Sequence, residues 1–271
     1  MDVSTLLTPL TFFIYLLLGW HFCQIRLVEH TTARKIPEHL LLIAVYVLHG
    51  TAVLLPFIDQ PQLHFGAAES LSLTAWLSLN IYLLGKLHWK LDGLEPPLFA
   101  FIVCFILLSI ILPTGHAINY VQNNLSRSHF LLAMLAQGLV VNAAAVAILM
   151  RFSDKNLHQN SKKILAHTLP PLLTLEKLLF SCVAIGFALL TAALITGSIL
   201  SEQTSGSFFS FSHKTIFALA SWVIFGTLLI GRINYGWRGR FAANWALTGF
   251  CLLFLGYIGT RIALEAFINK G

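Results

Sequence analysis

Three of the eleven histidines in this chain occupy positions where an imidazole could do chemistry. His49 lies near the middle of an apolar run, in Tyr46-Val-Leu-His-Gly50. His129 and His213 each open an apolar run, in Ser128-His-Phe-Leu-Leu and Ser212-His-Lys-Thr. Neutral imidazole is a good ligand for haem iron, and bis-His ligation of a non-covalent haem b needs two facing nitrogens. The preferred axial pair is His129 with His213, whose helices begin at the same level. The pair His49 with His129 would serve a haem that sits deeper. The same three side chains can equally be unrelated, each hydrogen-bonded to backbone or water. An imidazole at the depth of His49 costs free energy unless it is paired or faces a cavity. The remaining histidines, His21, His30, His39, His64, His88, His116, His158 and His167, lie in or beside polar segments and read as interfacial.

The elements that would position these residues are membrane helices. The chain has 271 residues, of which 57% are hydrophobic and only 10% charged. A soluble domain carries about a quarter charged residues, which excludes that class. A span needs roughly 20 apolar residues. Eight stretches qualify, at approximately 3–24, 40–58, 69–85, 95–113, 129–150, 178–199, 215–231 and 241–260. No strict apolar–polar alternation appears, so a β-barrel is not expected. The reading is an all-α integral membrane protein, an eight-helix bundle forming one polytopic domain over residues 1–271. The first run is too long for a cleaved signal peptide and lacks a basic leader, so it reads as a permanent helix.

Basic residues orient the bundle. Taking alternate connections, Arg26, Arg34, Lys35, Lys86, Lys90, Arg151, Lys155, Lys162, Lys163, Lys177, Arg232, Arg238 and Arg240 fall on one side. Arg127, Lys214, Arg261 and Lys270 fall on the other. The positive-inside rule makes the first side cytoplasmic and both termini outer. The formal charge of +6 therefore marks topology. No basic stripe with interleaved aromatics supports a nucleic-acid partner, and membrane lipid is the expected surroundings.

Punctuation between the runs is informative in four places. Pro170-Pro171 ends any preceding helix, and Thr174 to Lys177 reads as the start of the sixth. The polar stretch 151–177 fits an amphipathic surface segment or a solvated linker. Phe208, Phe209 and Phe211 sit in a polar loop, as interface anchors or as the wall of an apolar ligand site. Trp237-Arg238-Gly239-Arg240 reads as a cytoplasmic turn, with Gly236 and Gly239 suiting a sharp reversal and Trp237 at headgroup level. The cysteines, Cys23, Cys104, Cys182 and Cys251, form no CxxC or CxxCH and read as packing residues.

These residues, taken in order, resemble the cytochrome c assembly family of CcsA- and CcmC-type haem handlers, and within it the small YpjD/HemX-like branch. The resemblance is carried by His49-Gly50, His129, Leu169-Pro170-Pro171-Leu172-Leu173-Thr174-Leu175-Glu176, Gly186 and Thr191 to Gly197. It continues through His213-Lys214-Thr215, Ser221-Trp222, Gly236-Trp237-Arg238-Gly239-Arg240 and Gly256-Tyr257-Ile258-Gly259-Thr260-Arg261. It covers nearly the whole chain and is strongest over about 165–262. Haem-exporting members carry an outer loop of pattern Trp-Gly-x-x-Trp-x-Trp-Asp before the penultimate helix. Here that loop has no Trp. A histidine near the inner end of helix seven is replaced within Leu229–Arg232, and a late outer histidine is absent. These departures weaken the case for a full route for haem across the membrane. They leave an outer or mid-membrane site through His49, His129 and His213.

The resemblance implies a multi-pass protein of the bacterial inner membrane. Such a protein would bind haem and assist cytochrome c maturation or haem trafficking, alongside maturation proteins or another membrane complex. It equally permits a HemX-like accessory protein without bound haem. A small-molecule transporter is a weaker alternative, since no buried acidic residue or broken-helix pair is evident in the sequence. No Ser-His-Asp, HExxH or paired-carboxylate arrangement points to an enzyme.

Overall fold

A computed structural model describes residues 3–28, 36–59, 66–89, 91–112, 124–158, 170–206 and 212–268. His30, His64, His116 and His167 lie outside the described residues, as do Phe208, Phe209, Phe211 and the 159–169 part of the polar stretch. The described residues form eight α-helices: α1 Val3–Cys23, α2 Ile36–Asp59, α3 Ala67–Lys86, α4 Glu95–Ile111, α5 Asn124–His158, α6 Leu172–Ser205, α7 His213–Tyr235 and α8 Gly239–Ile268. Each of the eight expected apolar runs thus contains a helix, the fourth ending at Ile111. One π-helical turn, Gln24–Val28, continues α1.

Among the described residues, five stretches are long and apolar enough to cross a membrane by length and composition: Leu7–Arg26, Glu38–Pro56, Asn124–Asp154, Leu172–Gln203 and His213–Tyr235. The fourth helix is apolar but has only 17 residues. The third contains Ser70, Ser72, Thr74, Ser78 and Asn80, yet much of it is buried. It tolerates this polarity by returning side chains to its own backbone. The Ser70 hydroxyl donates to the Gly66 carbonyl, Ser78 to Thr74, and the Asn80 amide to Trp76. Back-bonding of this kind satisfies a polar group where water cannot.

The chain resolves into two compact units, one of residues 1–118 with 148–176 and one of 119–147 with 177–271. In the first, α1 packs on α2 and α4, and α3 on α2 and α4. Phe99 of α4 fills the space between Tyr15 and Phe22 of α1, with ring centroids at 5.8 and 5.4 Å. Trp76 stacks on Tyr46, and its indole N–H donates to the Tyr46 carbonyl at 3.2 Å.

In the second unit, glycines allow close approach. Gly186 of α6 faces Leu139 and Val140 of α5, and a Cβ there would lie 3.5 and 3.6 Å from them. Trp222 of α7 stacks on Phe187 of α6 and donates its N–H to Thr191 Oγ1 at 2.8 Å. Ser221 donates to the Gly249 carbonyl of α8 at 2.8 Å.

Two of the punctuation signals mark element boundaries, although the sixth helix starts at Leu172, two residues before the expected Thr174. The backbone N–H groups of Thr174 and Leu175 return to the Pro171 carbonyl, so α6 begins directly after the proline pair. Gly236 and Gly239 both adopt left-handed φ, 66° and 61°, and reverse the chain between α7 and α8. The Trp237 ring folds back over Gly231, and the Trp237 backbone N–H donates to the Gly231 carbonyl at 3.2 Å. Such a bond satisfies one of the carbonyls that a helix end leaves open.

Candidate functional site

His129 stands in the first turns of α5, half-buried against α6. Its Nδ1 lies 2.9 Å from the Ala193 carbonyl oxygen and 3.2 Å from Thr196 Oγ1. A carbonyl can only accept, so Nδ1 carries the hydrogen. That leaves Nε2 with its lone pair, and no described residue hydrogen-bonds to it. A carbonyl that fixes the Nδ1–H tautomer and leaves Nε2 its lone pair is an arrangement by which proteins prepare an imidazole as a metal ligand. Gly197 makes the approach possible, because a Cβ there would meet His129 Cε1 at 2.9 Å.

His213 is the first residue of α7 and is exposed. Its helix start is set by Ser212, whose Oγ accepts from the Thr215 N–H at 3.3 Å. The next residue, Lys214, lies over the Tyr257 ring at 5.8 Å. The Trp222–Thr191 bond fixes the register between α6 and α7. From that level His213 is nine residues along α7, about 13 Å at the usual helical rise. Ala193 and Gly197, which flank His129, are two and six residues along α6 in the same direction, about 3 and 9 Å. Both histidines therefore belong to the same end of this unit, with His213 about one to two turns farther out.

His49 belongs to the other unit and is fully buried. Tyr15 Oη lies 3.1 Å from Nδ1 and Ser72 Oγ lies 3.1 Å from Nε2. Of the two ways to keep an imidazole in a membrane, a polar neighbour or an enclosed ligand, the neighbour is present on both nitrogens. Iron ligation by His49 would require it to give up Tyr15 or Ser72.

A charged cluster escaped the sequence reading. By sequence, Arg26 reads as a topology signal in the first connection. In the structure the Arg26 and Glu95 side chains are fully buried, 3.6 Å apart, with Asp92 also 3.6 Å from Arg26. Glu95 accepts from the Tyr82 hydroxyl at 2.9 Å and the Gly93 N–H at 2.6 Å. Lys86 lies 3.5 Å from Asp92. His21, read as interfacial, is exposed and pairs with the nearly buried Glu38 at 3.0 Å. The available signal was Glu95 itself, since a carboxylate at the head of an apolar run demands a partner.

Among the described residues, no three His, Cys, Asp or Glu side chains gather as a site for a bare metal ion. A haem needs only one or two axial side chains, so this observation does not bear on His129.

The family model for Cytochrome C assembly protein matches residues 3–268. Over 89 residues the chain is 35% identical to "Cytochrome c biogenesis protein CcsA" of Nostoc punctiforme, covering 33% of this chain and 25% of that protein. The protein of that name from Synechocystis sp. is 34% identical over 89 residues, 33% of this chain and 27% of the relative. The one from Picosynechococcus sp. is 35% identical over 89 residues, with 33% and 26% covered. The match thus spans about a quarter of the length of these curated relatives. No solved structure matches the chain. The chain belongs to the cytochrome c assembly protein family.

Proposed function

We propose that this family member is a haem-binding membrane protein that assists cytochrome c maturation, with His129 as an axial ligand. The observation that carries the reading is the His129 tautomer: Nδ1–H is committed to the Ala193 carbonyl, and Nε2 is left as a lone-pair donor. His213 is the proposed second ligand, because it lies at the same end of the same unit. His49 is the alternative and must first release a hydrogen bond. Family membership supports the maturation role, and the names of the relatives agree with it.

Haem supplies the iron and the porphyrin that the maturation machinery delivers. This chain's residues supply binding and orientation. Ala193 and Thr196 hold the ring nitrogen, Gly197 lets the imidazole lie against α6, and α5 and α7 carry the two histidines. The family and the names of the relatives support the role of an assembly factor. The proposed setting is a bacterial inner membrane, crossed by eight helices with both termini outside. The distribution of basic residues supports that orientation.

The test is the visible spectrum of the full-length protein, purified in detergent from cells supplied with a haem precursor. A Soret band with sharp reduced α and β bands is expected, lost in His129→Ala. His213→Ala separates the two pairings: loss of the bis-His spectrum supports His129 with His213, and its retention supports His49 with His129. Folded wild-type protein that neither retains nor takes up haem would remove the reading.

A further inference from the structure

Two buried polar side chains of α5 are not used by the haem reading. Ser126 is 6% exposed and Gln137 7%. Among the described residues, neither the Ser126 hydroxyl nor the Gln137 amide has a hydrogen-bond partner. Asn142 on the same helix, by contrast, returns its amide to the Gly138 carbonyl at 2.9 Å. Neither group is sealed, since the little surface each keeps includes its polar tip. A buried polar group without a partner costs free energy, so each marks a place where a ligand can supply one.

Helical geometry puts the two on one line. Eleven residues make about three turns, so the side chains leave the helix within about 20° of each other and about 16 Å apart. Ala133, small and only partly buried, lies between them on that line. His129 is about 60° to one side, against α6. The opposite face carries Arg127, Ser128, Leu131 and Leu135, all exposed. Ser126, His129, Ala133 and Gln137 thus share the face of α5 turned away from the exposed one.

Position along the helix decides what each end can meet. Ser126 lies in the first turn of the 35-residue α5, about 4–5 Å before His129. A helix N-terminus favours negative charge. Residues 119–147 contain no Asp or Glu that would supply it. Gln137 lies about 12 Å beyond His129 in the other direction. Haem b has a matching polarity, with two propionate carboxylates on one edge and an apolar rim elsewhere.

We propose that the Ser126 hydroxyl donates to a propionate of the haem held by His129, with the propionate edge toward the start of α5 and the apolar rim over Ala133 toward Gln137. The inference rests on the haem reading above and adds an orientation to it. A hydroxyl bond to a carboxylate is charge-assisted and stronger than one between neutral groups. Ligation by His129 alone leaves the porphyrin free to turn about the iron–nitrogen axis, and a propionate tied to Ser126 stops that rotation.

Titration of the full-length protein in detergent with haem and with haem dimethyl ester, followed at the Soret band, tests this. The ester keeps the iron and loses both carboxylates. Wild type is expected to bind haem about tenfold tighter than the ester. Ser126→Ala should bring that ratio close to one. Ser126→Thr, which keeps the hydroxyl, should retain most of it, and Ser128→Ala on the exposed face all of it. Wild type that binds haem and ester equally overturns the orientation and leaves the haem reading standing, whereas wild type that binds neither removes both. A folded Ser126→Ala protein with the full ratio also overturns the proposal. So does a Gln137→Met protein that has lost the ratio, the result expected of a haem bound with its propionates toward Gln137.

Discussion

The imidazole of His129 and the bare backbone of Gly197 are in direct contact: a Cβ at 197 would come within 2.9 Å of Cε1. The neighbour that must yield is a side-chain ring, so Gly197→Ala should disturb the site more than the fold. Its stability cost should be near the low end of overpacking, about 1 kcal/mol. The imidazole, however, must tilt away from the Ala193 carbonyl, which loosens the tautomer. We expect G197A to express and melt close to wild type while its haem occupancy falls at least several-fold. Occupancy equal to wild type at matched protein concentration would show that the contact does not position the ligand.

Gly231 and Trp237 form a second pair of this kind, and here the outcome should differ. A Cβ at 231 would overlap three atoms of the indole ring. That ring is wedged against Phe241 and Trp245 and cannot swing freely. Gly231→Ala should cost about 1–3 kcal/mol and shift the tryptophan emission, while Gly231→Ser should behave similarly. A variant with wild-type emission and unfolding midpoint would mean that the turn relaxes without strain.

How far these features could be read from sequence follows from their physical origin. The eight helices were legible because each is built on a long apolar run. The α7–α8 turn was legible because Gly236 and Gly239 permit the left-handed backbone a sharp reversal needs. His129 was picked out by its position at a helix start. Its partner could not be, since the Ala193 carbonyl is a backbone atom with no mark in the sequence. The burial of Arg26 was not legible for a related reason. Its partners lie more than sixty residues away, and an arginine after an apolar run looks like a topology signal whether it points to headgroups or into the protein.

That buried cluster yields a third expectation. Removing one partner of a buried ion pair leaves the other uncompensated, at about 3–5 kcal/mol, whereas replacing both with apolar groups can be nearly neutral. Arg26→Met alone should therefore destabilise the protein strongly, and Arg26→Met with Glu95→Leu should recover part of the loss. Recovery will be incomplete, because Tyr82 and Gly93 also lose their acceptor. Denaturant unfolding in detergent measures the cycle; additive losses would show that the two charges do not interact.

His49 provides the last expectation, because its structural and ligand roles separate cleanly. With Tyr15 on one nitrogen and Ser72 on the other, the imidazole is a fully bonded bridge within one unit. His49→Ala strips a partner from both hydroxyls, and an unsatisfied buried polar group costs about 1–3 kcal/mol. The substitution also leaves a cavity where the ring packed edge-on to Tyr15. Tyr15→Phe removes one hydroxyl and one bond together and should be milder. If His129 and His213 carry the haem, His49→Ala should lower the unfolding midpoint while the haem-to-protein ratio of the folded fraction stays at the wild-type value. If His49 is itself an axial ligand, the bis-His spectrum disappears even in the folded fraction, and Tyr15→Phe shifts its bands. Absorbance-detected size-exclusion chromatography reads haem and fold in the same peak and decides between them.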